Sequence, residues 1–204
     1  KAKANRIKCL NNLGHIGKSF INFSNLNSGR LPWQLTPRNK DVHFGGNYSE
    51  YLSSIFSVKA IKNELVTCKI LHSPCDPERQ AANDLAKVEW RFYDIKKNHK
   101  IPCESISYVL LKGADTSRPS TLLASTRNLS ANNLESSNWA GADEQPLNEH
   151  AVAGLFKSQG NLVKADGSAL MSTNSDLGAD GKLVKAHINS SGGVTRGKAN
   201  SDII

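Results

Sequence analysis

The sequence predicts an α+β fold, a long N-terminal helix packed on an antiparallel β-sheet, and three observations predict it. Apolar residues recur at three- and four-residue spacing through residues 2 to 27, the period of one helix face. A second helical period runs over residues 48 to 66. Beyond residue 105 the chain breaks into short β-prone runs punctuated by Gly, Ser, Asn and Asp. Helices first and strands afterwards is the order of helices laid on an antiparallel sheet, not of alternating βαβ units.

The first helix presents Ile7, Leu10, Leu13, Ile16, Phe20 and Phe23, with Ile21 beside them, as one apolar stripe. Gly14 and Gly17 interrupt it at a cost of roughly 1 kcal/mol each against Ala, which a closely packed neighbour would offset. Gly29 supplies a C-terminal stop and Pro32 forbids continuation. Asp41 to Asn47 reads as a loop. The second helix, 48 to 66, then carries Tyr51, Leu52, Ile55, Phe56, Ile61 and Leu65 on its apolar face, with Ser49 as its cap. Ser73-Pro74-Cys75-Asp76-Pro77 is turn chemistry: two prolines fix the backbone and Asp offers a side-chain acceptor.

Strands are expected at 105–111 and 120–125, with 127–149 as a polar loop. Residues 151–156 and 161–165 read as a hairpin around Ser158-Gln159-Gly160. Asp166-Gly167 is a tight turn into a strand at 168–171, and 183–188 is a weaker strand. The sheet thus spans 105–188, and 189–204 is an irregular tail. At 204 residues the chain is one domain, 1–204. With aromatics at only 6 %, its core rests on Leu, Ile, Val and Ala.

The formal charge of +8 is spread along the chain. Only Lys1, Lys3, Arg6 and Lys8 cluster, and no aromatic rings interleave there to stack bases, so a solvated basic face and no nucleic-acid partner are expected. No run approaches the roughly 18–20 apolar residues of a membrane span. Of the three tryptophans, Trp33 is expected against the sheet edge, and Trp139, in the polar loop, is the exposed candidate for stacking on a sugar.

Cys9, Cys68, Cys75 and Cys103 make an even set, which suits disulfides in an oxidising compartment; three pairings are open. Their spacing does not match paired C-x-x-C zinc ligation. His15, His43, His72, His99, His150 and His187 are dispersed, and no nucleophile motif surrounds any cysteine, so no enzymatic activity is expected.

Several of these segments together resemble a known family. Arg6-Ile7-Lys8-Cys9-Leu10-Asn11-Asn12-Leu13-Gly14-His15-Ile16-Gly17, ending at Gly29-Arg30-Leu31-Pro32, is similar to the stretch that follows the membrane helix in type IV pilin-like proteins. The likeness is greatest to the pseudopilins of planctomycetes, verrucomicrobia and lentisphaerae. Cys75-Asp76-Pro77, Ser107-Tyr108 and the strand Gly160 to Gly167 match later elements of that pattern. In place of the family's second histidine stands Ser168, and His150 lies further upstream than its first.

The resemblance implies a non-enzymatic filament subunit of a type II secretion-like or type IV pilus-like machine. It implies an N-terminal helix, outside this chain, that anchors the subunit in the inner membrane. The head, beginning midway along the long helix (1–28), would then be periplasmic or at the cell surface, with other pilin-like subunits and secretion machinery as partners. Ser175 to Lys182 also resembles the calcium loop of the major pseudopilin of type II secretion, and Gly197 to Ile204 its closing segment. Calcium takes six to eight oxygens; the resemblance implies Leu177 through its carbonyl, Asp180 and Asp202, with Asp176 a further carboxylate. The alternative is a membrane-anchored extracellular module that binds carbohydrate or another ligand through Trp139. A secreted hydrolase is the third reading.

Overall fold

The computed structural model describes residues 1–141, 152 and 154–204. Helix α1 (Ala2–Asn25) runs 24 residues without interruption. Its buried seam is Cys9, Leu13, Ile16, Phe20 and Phe23 at alternating four- and three-residue steps. The seam is rotated from the expected stripe: Ile7 is 43 % exposed, and Cys9 takes its place in the core. Burying each Leu, Ile or Phe of this seam contributes about 1.5–3 kcal/mol. Polar residues beside it are satisfied: the Ser19 hydroxyl donates to the Ile61 carbonyl at 3.1 Å, and the Asn12 amide to the His72 carbonyl at 3.3 Å. Gly17 lies against Val163, so close that a Cβ would stand 2.7 Å from a valine methyl, whereas nothing lies within 4 Å of a Cβ on Gly14. Close packing therefore explains the first glycine, and nothing in the structure explains the second.

Four strands, β1 (Tyr108–Leu110), β2 (Leu122–Thr126), β3 (Gly160–Lys164) and β4 (Ala169–Ser172), form an antiparallel meander in the order β1-β2-β3-β4. Register is set by pairs such as Val109 with Ser125 and Leu162 with Leu170. At the β3–β4 turn the Asp166 carboxylate accepts from the Ser168 N–H at 2.9 Å, and Gly167 adopts φ +89°. Successive residues alternate between two cores, as the strand period requires, except at Leu123-Ala124, where the register of β2 against β3 shifts and both join the larger core. Leu123, Val163 and Leu110 join the larger core with the α1 seam, while Leu122 and Leu162 face a second core with Leu129, Leu134, Trp139, Leu177 and Val184. Every residue of β2 is buried, because both faces of the sheet are covered. α1 crosses β2, β3 and β4 on one face, and α6 (Lys182–Ile188) packs on β2 from the other.

Several expectations are corrected. The helix expected over 48–66 is two short ones, α3 (Leu52–Phe56) and α4 (Lys59–Leu65), which break at Ser57-Val58. Ser57 there donates to the Ser53 carbonyl, a back-bond that bends helices, and accepts from the Ile101 N–H, which ties the break to the 101 segment. Ser49 caps neither; its hydroxyl pairs with Ser54. Residues 41–47 are not all loop: α2 (Pro37–Phe44) covers most of them, capped by Thr36 and ended at Gly45 with φ +60°. One further short helix is α5 (Ala82–Ala86).

The weak strand expected at 183–188 is helix α6, whose Leu183, Val184 and His187 are buried at helical spacing. No hairpin joins 151–156 to 161–165: Val152 bridges Gly141 in parallel, and β3 takes β2 and β4 as neighbours. Residues 142–151 and 153 lie outside the described part, His150 among them. The tail is not irregular to its end, since Ile203 bridges Leu111 and Asp202 bridges Asn133, extending the β1 edge.

Candidate functional site

Two places gather residues that the sequence singles out. The first lies between α1 and the turn at 73–77. The Asp76 N–H donates to the Ser73 carbonyl at 3.0 Å and the Cys75 N–H to the Ser73 hydroxyl at 3.1 Å, which closes the turn. It is clamped to the sheet by Arg127, just past β2, which donates to both Asp76 oxygens at 2.6 and 2.8 Å and to Glu78 at 3.0 Å. Side chains of Arg127 and Asp76 are 8 % and 0 % exposed. Burial opposes the guanidinium charge, and the bonds to Asp76 and Glu78 outweigh it, raising the Arg127 pKa.

Cys75 neighbours Cys9 of the α1 seam, and each thiol perturbs the other. The Tyr108 hydroxyl donates to the Cys9 sulfur at 3.5 Å. The neighbouring Cys75 holds the Cys9 thiol below the usual thiol range against the opposing effect of burial, and Cys9 together with burial pushes Cys75 up. Cys68 is buried in the larger core, Cys103 is exposed, and all four cysteines are free thiols. Among the described residues no histidine is bonded to Cys9 or Cys75, and both are closed to solvent in the folded chain.

The second place is the loop resembling a calcium site. Its backbone folds back on itself through a bond from the Gly181 N–H to the Gly178 carbonyl at 3.0 Å. Loop and tail meet at Leu134, whose carbonyl accepts from Gly178 N–H at 3.2 Å and whose N–H donates to the Ser201 carbonyl at 2.9 Å. Asp202 sits beside this junction, its carboxylate accepting from the Asn133 amide at 3.3 Å. The Asp180 side chain is fully exposed and pairs with Lys185 at 3.5 Å; Asp176 instead accepts from Ser172 and Thr173. Leu177, Asp180 and Asp202 are therefore on neighbouring segments, with Asp180 turned outward. Among the described residues, no three His, Cys, Asp or Glu side chains converge to hold a metal ion.

Trp139 corrects the expectation of an exposed ring. It is 0 % exposed in the second core, its indole N–H donates to Ser172 at 3.0 Å, and its ring lies on Gly160. The segment read as polar loop folds inward because Leu129, Leu134 and Trp139 bury together. Trp33 stands as expected, its indole N–H donating to the Lys112 carbonyl just past β1 at 2.9 Å.

A third cluster was not anticipated. His187 on α6 is buried, its Nδ1 accepting from the Leu122 N–H at 2.9 Å and its Nε2 facing the Asn200 carbonyl at 2.8 Å. One partner only donates and the other only accepts, so the ring is neutral with its proton on Nε2. Burial depresses its pKa, the Asn200 carbonyl partly opposes this, and the Arg118 charge adds to it. Arg118, 2 % exposed, donates to the carbonyls of Gly192, Thr195 and Gly197 and so fixes the tail loop, while Asp115 accepts from the Val194 N–H. Because the folded-state pKa lies below the ordinary 6.5, the unfolded chain binds the extra proton first. Stability contributed by His187 is thus complete above pH 6.5 and falls as pH drops below it, by at most about 1.4 kcal/mol per pH unit. Urea titrations of wild type and His187→Gln check this: the wild type is expected to lose stability relative to the variant between pH 6.5 and 5.

The remaining described histidines have local roles. His43 packs on Phe23 and bonds Asn27, His72 faces the Asp76 carbonyl, and His99 stacks on Phe92. Among the described residues, no helix is long and apolar enough to cross a membrane. No protein-family model, no curated protein and no solved structure matches the chain.

Proposed function

We propose that this chain is the head of a pilin-like structural subunit, a pseudopilin of a type II secretion-like or type IV pilus-like filament, acting by assembly and not by catalysis. The observation that carries the reading is α1: a 24-residue helix with one seam on a four-stranded antiparallel sheet, its first three residues exposed. A helix of this kind needs a sheet for one face only. Its outward residues Asn11, His15 and Lys18 stay exposed along the full length of the contact, where a neighbouring subunit's helix would lie. On this reading a preceding segment anchors the subunit in the inner membrane, and the head stands in the periplasm or at the cell surface. The carbohydrate-binding alternative loses its residue, since Trp139 is buried.

Calcium belongs to the same proposal. Backbone placement fits it, because the Leu177 loop and Asp202 share the Leu134 junction. Asp180 would have to leave Lys185, and an exposed pair of this kind is worth only about 0–1 kcal/mol, so the rearrangement is cheap. The ion would bridge loop and tail through Leu177, Asp180 and Asp202. Millimolar calcium is then expected to raise the Tm of wild type and not of Asp180→Ala.

Assembly is tested in the intact protein in its own cells. Asn11→Cys and Lys18→Cys, each in a Cys103→Ser background and then combined, should give an oxidation-dependent ladder of multimers in the membrane or sheared-surface fraction. A protein that stays monomeric with both cysteines present would overturn the filament reading.

A further inference from the structure

We propose that Cys9 and Cys75 form a disulfide that fastens α1 to the 73–77 turn. The inference goes beyond the filament reading and does not depend on it, because it concerns only how this chain closes on itself. It also selects among the pairings that sequence alone leaves open.

The two cysteines come from segments far apart in sequence and both lie inside the larger core, Cys9 at 0 % and Cys75 at 1 % exposure, where each acts on the other. Both segments are held in place by other bonds, so the meeting does not rest on the thiols. One turn after Cys9, Asn12 donates to the His72 carbonyl at 3.3 Å. On the other side, Ser73 N–H donates to the Ser107 hydroxyl at 3.0 Å, and Arg127 grips Asp76. The Gly154 N–H donates to the Cys75 carbonyl at 2.8 Å, and Gly154 sits so close that a Cβ there would stand 2.7 Å from the Cys75 Cα. Cys75 is thereby pinned from the turn, the sheet and the 154 segment together, beside Cys9.

A charge and a hydroxyl donor stand beside the pair. Arg6 is fixed by bonds to Asn161 and the Gly160 carbonyl at 3.2 and 3.0 Å, and its charge acts on both sulfurs. The Tyr108 hydroxyl donates to the Cys9 sulfur at 3.5 Å. An apolar pocket for two packed cysteines would need none of these donors. The oxidant is a disulfide-bearing thiol compound or oxidoreductase acting before the site closes. One cysteine thiolate attacks a sulfur of that disulfide, forming a mixed disulfide and releasing one thiol. The second cysteine then displaces the other half. The Cys9–Cys75 bond forms, the oxidant's S–S bond breaks, two electrons pass to the oxidant, and the two cysteine protons end on its two thiols.

The test uses the whole 204-residue chain with all four cysteines, refolded in a mixture of reduced and oxidised glutathione. Alkylation in denaturant without reductant, followed by proteolysis and mass spectrometry, should yield one peptide pair joined through Cys9 and Cys75, lighter by two hydrogens than the free pair. Recovery of Cys9 and Cys75 both alkylated, or either one joined to Cys68 or Cys103, would overturn the proposal. As a second measurement, reductant should lower the Tm of wild type by about 5–15 °C and leave Cys9→Ala/Cys75→Ala unmoved. An equal fall in both proteins would sink the idea. If the double variant does not fold, the peptide map of the wild type decides alone.

Discussion

Trp139→Ala is expected to destabilise the protein by about 3–5 kcal/mol, a large fraction of the roughly 5–15 kcal/mol that folds a domain. The side chain is the largest in the second core and is fully enclosed. Its removal leaves a cavity that cannot close easily, because the ring is sandwiched over Gly160, where there is no side chain to move in. Polar groups suffer too. Ser172 loses the indole donor but keeps its own bond to Asp176 at 2.7 Å, so the cost is dominated by the cavity. Trp139→Phe restores most of the buried area and should recover most of the loss. Urea unfolding of the three proteins checks the order wild type, Phe, Ala. If Trp139→Ala were as stable as wild type, the ring would not be buried and the sugar-stacking alternative would return. Gly160→Ala is the complementary change: a Cβ would fall 2.2 Å from the indole, so one of the two must shift.

The same residue shows why parts of the fold were legible in the sequence and parts were not. Apolar period revealed α1, and apolar runs together with turn residues marked all four strands, because both signals are local in the sequence. It failed at Trp139, where Leu129, Leu134 and Trp139 stand five residues apart in a segment otherwise of Ser, Asn, Ala and Glu and bury only because a sheet face is open to them. A composition that reads as loop was folded inward by a tertiary contact. α6 was misread because Leu183, Val184 and His187 form a three-residue seam, too short to separate a helical from a strand period. α2, by contrast, announced itself and was overlooked. Thr36-Pro37 is a cap followed by proline at the first helical position, and Gly45 lies just past the end.

Of the candidate site, the sequence showed which residues carry the chemistry but not which of them meet. Ser73 to Pro77 was readable as a turn from its prolines alone. That Cys75 faces Cys9, and that Arg127 is the partner of Asp76, depends on how α1 and β2 bracket the turn. The calcium resemblance located the loop and the tail, and their common attachment at Leu134 could not be read from either segment. His187 gave no signal, being a lone histidine in a segment read as strand; its two backbone partners come from β2 and the tail.

The second large effect is expected at Asp76. Asp76→Asn should cost about 3–5 kcal/mol, because it leaves the Arg127 guanidinium buried without its charge partner. Asparagine retains one acceptor for the fork, so the two parallel bonds at 2.6 and 2.8 Å are reduced to one and the amide N–H₂ meets a donor. Glu78 cannot take over, since it reaches Arg127 from a side chain 56 % exposed, and Glu78→Gln alone should cost under about 1 kcal/mol. Arg127→Met removes the cation instead and strands the Asp76 carboxylate, at similar cost. Combining Asp76→Asn with Arg127→Met takes away both charges, so the double variant should be no less stable than either single one. A double-mutant cycle by urea denaturation reads this as a coupling energy of at least about 3 kcal/mol, and strictly additive losses would show that the pair does not act as a unit. Ionic strength supplies an independent arm. A pair closed to water should keep its coupling at 0.5 M salt, where the Debye length is only about 4 Å, while an exposed pair such as Lys185 with Asp180 should lose what little it has. Because Asp76 follows Cys75 directly, the clamp also sets how firmly that thiol is aimed. Loosening it should therefore slow closure of the Cys9–Cys75 bond as well as weaken the fold.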